Sequence, residues 1–291
     1  MKEISLVAFD LDGTLLDSRK KIRPDVRNAL VEIQRTGILL TLITGRSFAA
    51  TQPFIEELEL MTPVGVVHGA FVKDNRGLEI AKRVIPKPGV RDALEIAERS
   101  NCIPFIVGSD HDGELIVCEE HRNHPIVEAV LHAESDQVLF DEIRFVKSEE
   151  IEMTSFGVYL VGLRDSVATA LTLAQSLAVK LFQYGLFPIH ASGVSQDFQD
   201  QSAVAMFSPV GADKAFALRE ISDCLGVGMD QVAAFGDWHN DIPMLEAAGA
   251  AVLMGNAPKG LHEKINHPGL IRTGPNDGSG ILEALSKLGI Y

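Results

Sequence analysis

Short apolar runs that stop abruptly at polar residues govern what this chain can fold into. Ile4–Phe9 ends at Asp10-Leu11-Asp12-Gly13-Thr14, Ile38–Ile43 at Thr44-Gly45-Arg46, and Val232–Phe235 at Gly236-Asp237-Trp238-His239-Asn240-Asp241. Each run has the length and β-rich composition of a strand buried on both faces. Stretches with helical spacing lie between such runs. Pro24–Arg35 carries Val26, Leu30 and Ile33 on one stripe, with a proline near its start and Gly37 at its end. Thr51–Leu60, Lys214–Leu225, Ile242–Ala248 and Ile281–Leu288 also read as helices, and Val64–Val67 and Ala250–Met254 as further strands. Alternation of this kind predicts an α/β fold with a doubly wound parallel sheet.

The rhythm changes at Val84–Gly89 (VIPKPG), whose two prolines and glycine read as a hinge. Beyond it Asp92–Ser100 reads as a helix. Pro104–Gly108 and Glu114–Cys118 read as a hairpin around Ser109–Gly113, followed by a strand at Gly157–Leu163, a helix at Ser166–Ala178 and a strand at Lys180–Leu186. Hairpins among helices indicate an α+β module with a partly antiparallel sheet. The first rhythm returns at Gly211. At 291 residues the chain has room for about two domains. The expected organisation is one α/β core built from both chain ends, residues 1–84 and 210–291, with an α+β module inserted at 85–209.

Composition narrows the partners. A formal net charge of −14 disfavours nucleic acid and anionic membrane surfaces but not a divalent cation. The apolar run near the start is too short for a signal peptide, and no stretch approaches the roughly 18 apolar residues of a membrane span. Cys102, Cys118 and Cys224 lie far apart with no CxxC pattern, which suits a reducing compartment. A cytoplasmic protein is expected; nothing in the sequence sets its oligomeric state.

Ligands of open parallel sheets bind outside the carboxyl ends of the strands. Asp10, Asp12, Asp237 and Asp241 would converge there, and several carboxylates so close repel one another. A hard divalent cation with oxygen ligands, Mg2+, relieves this. Groups suited to an anion accompany them: the Thr44 hydroxyl, the Gly13 and Gly45 N–H groups, the Lys214 ammonium and the Asn240 amide. Metal and anion donors together suit phosphoryl transfer. In an extended strand Asp10 and Asp12 point to the same side, so one carboxylate can attack phosphorus while the other serves the leaving oxygen as general acid and then water as general base.

These residues resemble the motifs of the haloacid dehalogenase (HAD) superfamily. VAFDLDGTLLD is similar to its first motif, LLTLITGR to its second, Lys214 within VGADKAFAL to its third and FGDWHNDIPML to its fourth, with VLMGNAPKGL following. Only 31 residues separate Asp12 from Thr44, whereas 167 separate Arg46 from Lys214, so a cap module fits only in the second gap. That layout resembles the Cof-like type IIB phosphatases, with a Rossmann-like core and a C2 α/β cap. The resemblance implies Asp10 as nucleophile and Asp12 as general acid and base. It implies Mg2+ on the Asp10 carboxylate, the Asp12 carbonyl and the Asp237 carboxylate with Asp241 in support, and phosphate on Thr44, Lys214 and Asn240. Gly45 offers its backbone N–H to the same anion, and Arg46 either reaches the substrate or braces the loop. The implied substrate is a small phosphorylated metabolite. A phosphotransferase or sugar phosphomutase, and a non-catalytic binding protein on the same fold, remain alternatives. The sequence departs from the pattern at His68-Gly69, where Asn-Gly is common, and at Asp213, where serine is common. His121, Arg122 and His124 read as a solvated face, and His111-Asp112 as a polar turn.

Overall fold

The computed structural model describes residues 3–109, 113–137, 142–176, 182–188 and 201–291. The chain divides into two units, one of Met1–Gly45, Thr51–Lys82 and Ala212–Tyr291, the other of Arg46–Ala50 and Arg83–Gly211.

The first unit is organised by a five-stranded, wholly parallel sheet in the order Ile271–Arg272, Ala250–Leu253, Val232–Gly236, Leu6–Phe9, Leu39–Leu42. Three of these strands, LVAF, VAAFG and AAVL, are buried along their whole length, which is why they read as unbroken apolar runs. Alternate residues supply one core: Leu6, Ala8, Val232, Ala234, Ala251 and Leu253 pack with Leu218, Ile221, Met244 and Leu245 of the helices Lys214–Leu225 and Ile242–Ala247. Each buried leucine-sized side chain contributes about 1.5–3 kcal/mol. Phe9 and Phe235 are register partners with ring centroids 4.5 Å apart.

A second, three-stranded antiparallel sheet, Val64–Val66, Phe71–Lys73 and Glu79–Lys82, lies beside the first. Ile43 and Gly65 form a parallel bridge, and Thr44 N donates to Gly65 O at 2.9 Å. Only the first of these strands is expected from the sequence. The hairpin that follows turns on Asp74, whose Oδ1 accepts from Arg76 N and Leu78 N, an Asx-type turn. Its last strand, EIAK, is largely exposed and so carries no apolar signature.

In the second unit the strands order as Phe182–Pro188, Ser202–Pro209, Ser155–Leu163, Ile103–Gly108, Glu114–Cys118, Glu142–Val146, antiparallel except for the final pair. Helices Lys87–Ser100 and Arg164–Ser176 put Val90, Ala93, Ala97, Val167 and Ala170 into a core with Ile106, Val158, Leu160 and Phe207. The hairpin is present. The segment expected as a hinge follows the boundary of the two units at Lys82/Arg83 and runs into a helix: Pro86 is the N-cap and Lys87–Gly89 form the first turn, where proline forfeits no hydrogen bond. Ile85 meanwhile exchanges backbone hydrogen bonds with Ser155 at 2.7 and 3.0 Å. Strands Glu142–Val146 and Ser202–Pro209 were not foreseen. His111-Asp112 and the junction of the expected helix Ser166–Ala178 with the expected strand Lys180–Leu186 lie outside the described residues.

Candidate active site

The parallel ladder runs one residue past its central strands: Asp10 N donates to Phe235 O at 3.0 Å and Met254 N to Gly236 O at 3.0 Å. The sheet therefore fixes the backbone from which Asp10 and Asp237 project. Lys214 arrives from another direction, as the first residue of its helix. Asp213 caps that helix, its Oδ1 accepting from Phe216 N at 2.7 Å.

Lys214 Nζ donates to Asp10 Oδ1 at 2.5 Å and to Asp241 Oδ1 at 2.6 Å, and all three side chains are buried. The other oxygen of Asp241 accepts from Asp237 N at 2.9 Å and Trp238 N at 2.8 Å. Asp237 Oδ1 accepts from the Thr14 hydroxyl at 3.0 Å, and its Oδ2 from Asn256 Nδ2 at 3.2 Å. Asn256 also donates to Gly13 O at 2.8 Å. Gly13 has a φ of 84°, and a Cβ there would collide with the Asp237 carboxylate.

One ligand oxygen from each of Asp10, Asp237 and Asp241 lies within 4.8 Å of the others, and among the described residues this is the only such group suited to a metal. Burial raises the Asp10 pKa to about 7 against the pull of Lys214, with Asp241 and Asp12 adding to the rise. Burial, then Asp10 and Asp241, raise that of Asp237 to about 8. Burial opposes the Lys214 charge, but Asp10 and Asp241 outweigh it and hold its pKa above the ordinary lysine value. Fully ionised, three carboxylates against one ammonium leave two negative charges in a buried space. An all-oxygen donor set with that surplus fits a hard divalent cation.

The Asp12 side chain does not join the group. Leu11 opens a turn, with Leu15 N donating to Asp10 O at 3.2 Å and Leu16 N to Leu11 O at 2.9 Å. The extended backbone that would have aligned Asp10 with Asp12 therefore stops short, and Asp12 Oδ1 accepts from Lys20 Nζ at 2.8 Å on the half-exposed side of the loop. On the other flank, Thr44 is buried and its carbonyl accepts from His68 N at 2.9 Å. The His68 ring lies against Gly45, where a Cβ would stand 2.5 Å from Cε1, and its Nδ1 is 3.2 Å from Asn240 Nδ2. Burial, with Lys214 nearby, lowers the His68 pKa to about 4. Arg46 is buried and groups with the second unit.

Thr14, Lys20 and Asn256 lie outside the site expected from the sequence, and His68 enters it only as a departure from the family pattern. Asn256 was within reach, standing in the VLMGNAPKGL segment already quoted. His121 and His124 belong to no metal group among the described residues; Arg122 instead pairs with both oxygens of Glu119, each at 2.7 Å.

A family model described as haloacid dehalogenase-like hydrolase matches residues 7–285. The chain is 31% identical over 268 residues to the pyridoxal phosphate phosphatase YbhA of Escherichia coli, covering 90% of this chain and 91% of that one. It is 26% identical over 287 residues to the 5-amino-6-(5-phospho-D-ribitylamino)uracil phosphatase YitU of Bacillus subtilis, covering 97% and 96%. Among solved structures, the HAD phosphatase BT1666 of Bacteroides thetaiotaomicron superposes with a TM-score of 0.77 at 24% identity, over 99% of this chain and 96% of that one. The chain belongs to the haloacid dehalogenase-like hydrolases. It is an enzyme, a phosphatase of that superfamily, and its fold is that of the type IIB members.

Proposed function

We propose that this enzyme hydrolyses small phosphomonoesters with Mg2+ and through a phosphorylated Asp10. The observation that carries the reading is Lys214 Nζ joining Asp10 and Asp241 within a buried group of carboxylates at the carboxyl ends of parallel strands. Asp10, the Asp12 backbone carbonyl and Asp237, with Asp241 behind them, would hold Mg2+, which when bound offsets the charge of carboxylates and phosphate.

Asp10 attacks phosphorus as the ester P–O bond breaks, and the Asp12 carboxyl gives its proton to the departing alkoxide. Asp12, now a carboxylate, takes a proton from water. The water oxygen attacks phosphorus, the bond to Asp10 breaks, and phosphate leaves. To serve these steps the Asp12 side chain has to leave Lys20 by rotating toward the leaving group. Lys214, Thr44, Asn240 and the Gly45 N–H bind the phosphate oxygens, supplying charge where the transferring group develops it. Arg46, the residue after Gly45, is a proposed substrate-binding residue.

The relatives named above act on pyridoxal phosphate and on a phosphorylated ribitylaminouracil. A small phosphorylated metabolite is the substrate class proposed here, and residues 85–209 are proposed as the cap that selects it. The test is phosphate release from a panel of phosphorylated metabolites, with Mg2+ and with EDTA, for wild type and Asp10→Asn. Release that needs the metal and vanishes in the variant is expected. Silence across the panel would contradict the reading and direct attention to transfer between sugar phosphates.

A further inference from the structure

His68 is built into the site, yet neither the carboxylate group nor the two half-reactions use it. It stands in the short turn Val67–Gly69 that follows strand Val64–Val66. Its backbone is left-handed, with φ 56° and ψ 24°, and Val67 before it has φ 50°. Such a conformation is sterically unfavourable for a non-glycine residue, and a β-branched valine tolerates it least. Strain of this kind persists only where the surroundings fix it. Here they do: His68 N is held by Thr44 O, the ring is seated on Gly45, and Gly69, with φ 87°, packs where a Cβ would strike the Asp213 carbonyl.

The strained turn brings together two loops that the sheet leaves separate. Thr44-Gly45 follows strand Leu39–Leu42, and Asn240 follows strand Val232–Gly236, with strand Leu6–Phe9 between them. His68 comes from a third loop and touches both. Its backbone N–H reaches Thr44, and its Nδ1 stands 3.2 Å from Asn240 Nδ2. With the Asn240 amide N–H as donor, His68 Nδ1 is the acceptor and the ring carries its proton on Nε2.

We propose that His68 is a positioning residue: its ring fastens the Asn240 amide to the Thr44-Gly45 loop, so that groups from two strands stand ready for a phosphate before one arrives. This rests on the reading above that Thr44 and Asn240 bind phosphate. Preorganised donors lose less freedom on binding, so the effect falls on affinity for the phosphate group.

The experiment compares wild type, His68→Phe and His68→Asn in three respects: affinity for inorganic phosphate by calorimetry with Mg2+ present, KM and kcat on p-nitrophenyl phosphate, and melting temperature. Phenylalanine fills the ring's place but accepts nothing from Asn240. Asparagine is smaller, suits left-handed backbone and keeps an acceptor. The Phe variant is expected to bind phosphate about tenfold more weakly, the worth of about one neutral hydrogen bond, and to raise KM by a like factor with kcat changed less than about threefold. The Asn variant is expected to stay within about threefold of wild type, and both to melt near it. A Phe variant that binds like wild type overturns the proposal, as do two variants that lose affinity only in step with melting temperature. Wild-type protein with no phosphate affinity removes both this proposal and the reading it rests on, whereas normal wild-type affinity with an unaffected Phe variant removes this proposal alone.

Discussion

The Lys214 ammonium donates to Asp10 Oδ1 at 2.5 Å while the two side chains are 1% and 8% exposed. A charge pair so placed is weak support for stability as such, because desolvation costs nearly as much as attraction returns. Its removal is another matter. Lys214→Met leaves buried carboxylates without their cation, a change that costs about 3–5 kcal/mol, and takes a charge from the transferring phosphate, a loss of at least about a hundredfold in kcat/KM. Thermal melts in EDTA and steady-state kinetics in Mg2+ check the two halves separately.

The pH dependence of the metal-free protein has a definite sign. Folded Asp10 and Asp237 titrate near 7 and 8 instead of 3.8. Between the unfolded and folded values the native state keeps protons the unfolded chain has lost, so stability falls as pH rises. His68, lowered from 6.5 to about 4, works in the opposite sense, but only up to about pH 6.5. Melting temperature in EDTA is therefore expected to drop between about pH 6.5 and 8, and Mg2+ to flatten that slope. A flat or rising profile in EDTA would contradict the arrangement of charges.

Gly13 couples backbone geometry to the carboxylates. Its φ of 84° and the Asp237 carboxylate beside it leave no place for a Cβ. Gly13→Ala is expected to lower stability by about 1–2 kcal/mol from the left-handed backbone alone and to push Asp237 out of position. The half-saturating Mg2+ concentration for activity, measured beside the melting temperature, should rise several-fold.

Residues fixed by strands were legible before the fold was known. Asp10, Thr44 and Asp237 follow apolar runs buried on both faces, and Lys214 opens a helix whose cap, Asp213, stands in the sequence. What escaped lies in loops and on exposed edges. Asp12 was read on extended backbone, but the turn at Leu11 sends its carboxylate to Lys20, a residue itself at φ 59°. No local pattern announces that. His68 meets Asn240 across 172 positions of sequence, a meeting that only the packed loops create. The hairpin to Lys82 and the strand Glu142–Val146 are largely or partly exposed and lack the apolar signature on which strand reading depends.

Acid-quenching Asp12→Asn protein during reaction with p-nitrophenyl phosphate, followed by peptide mass spectrometry, shows whether Asp10 carries the phosphoryl group as proposed. A good leaving group needs little help from an acid, whereas in the proposed second step Asp12 is the base toward water, so a phosphorylated intermediate should accumulate in this variant. A phosphorylated Asp10 predicts one phosphoryl group on the peptide containing it and none in an Asp10→Asn, Asp12→Asn double variant. Phosphorylation at another residue, or release of p-nitrophenol in excess of enzyme with no phosphorylated peptide, would contradict it.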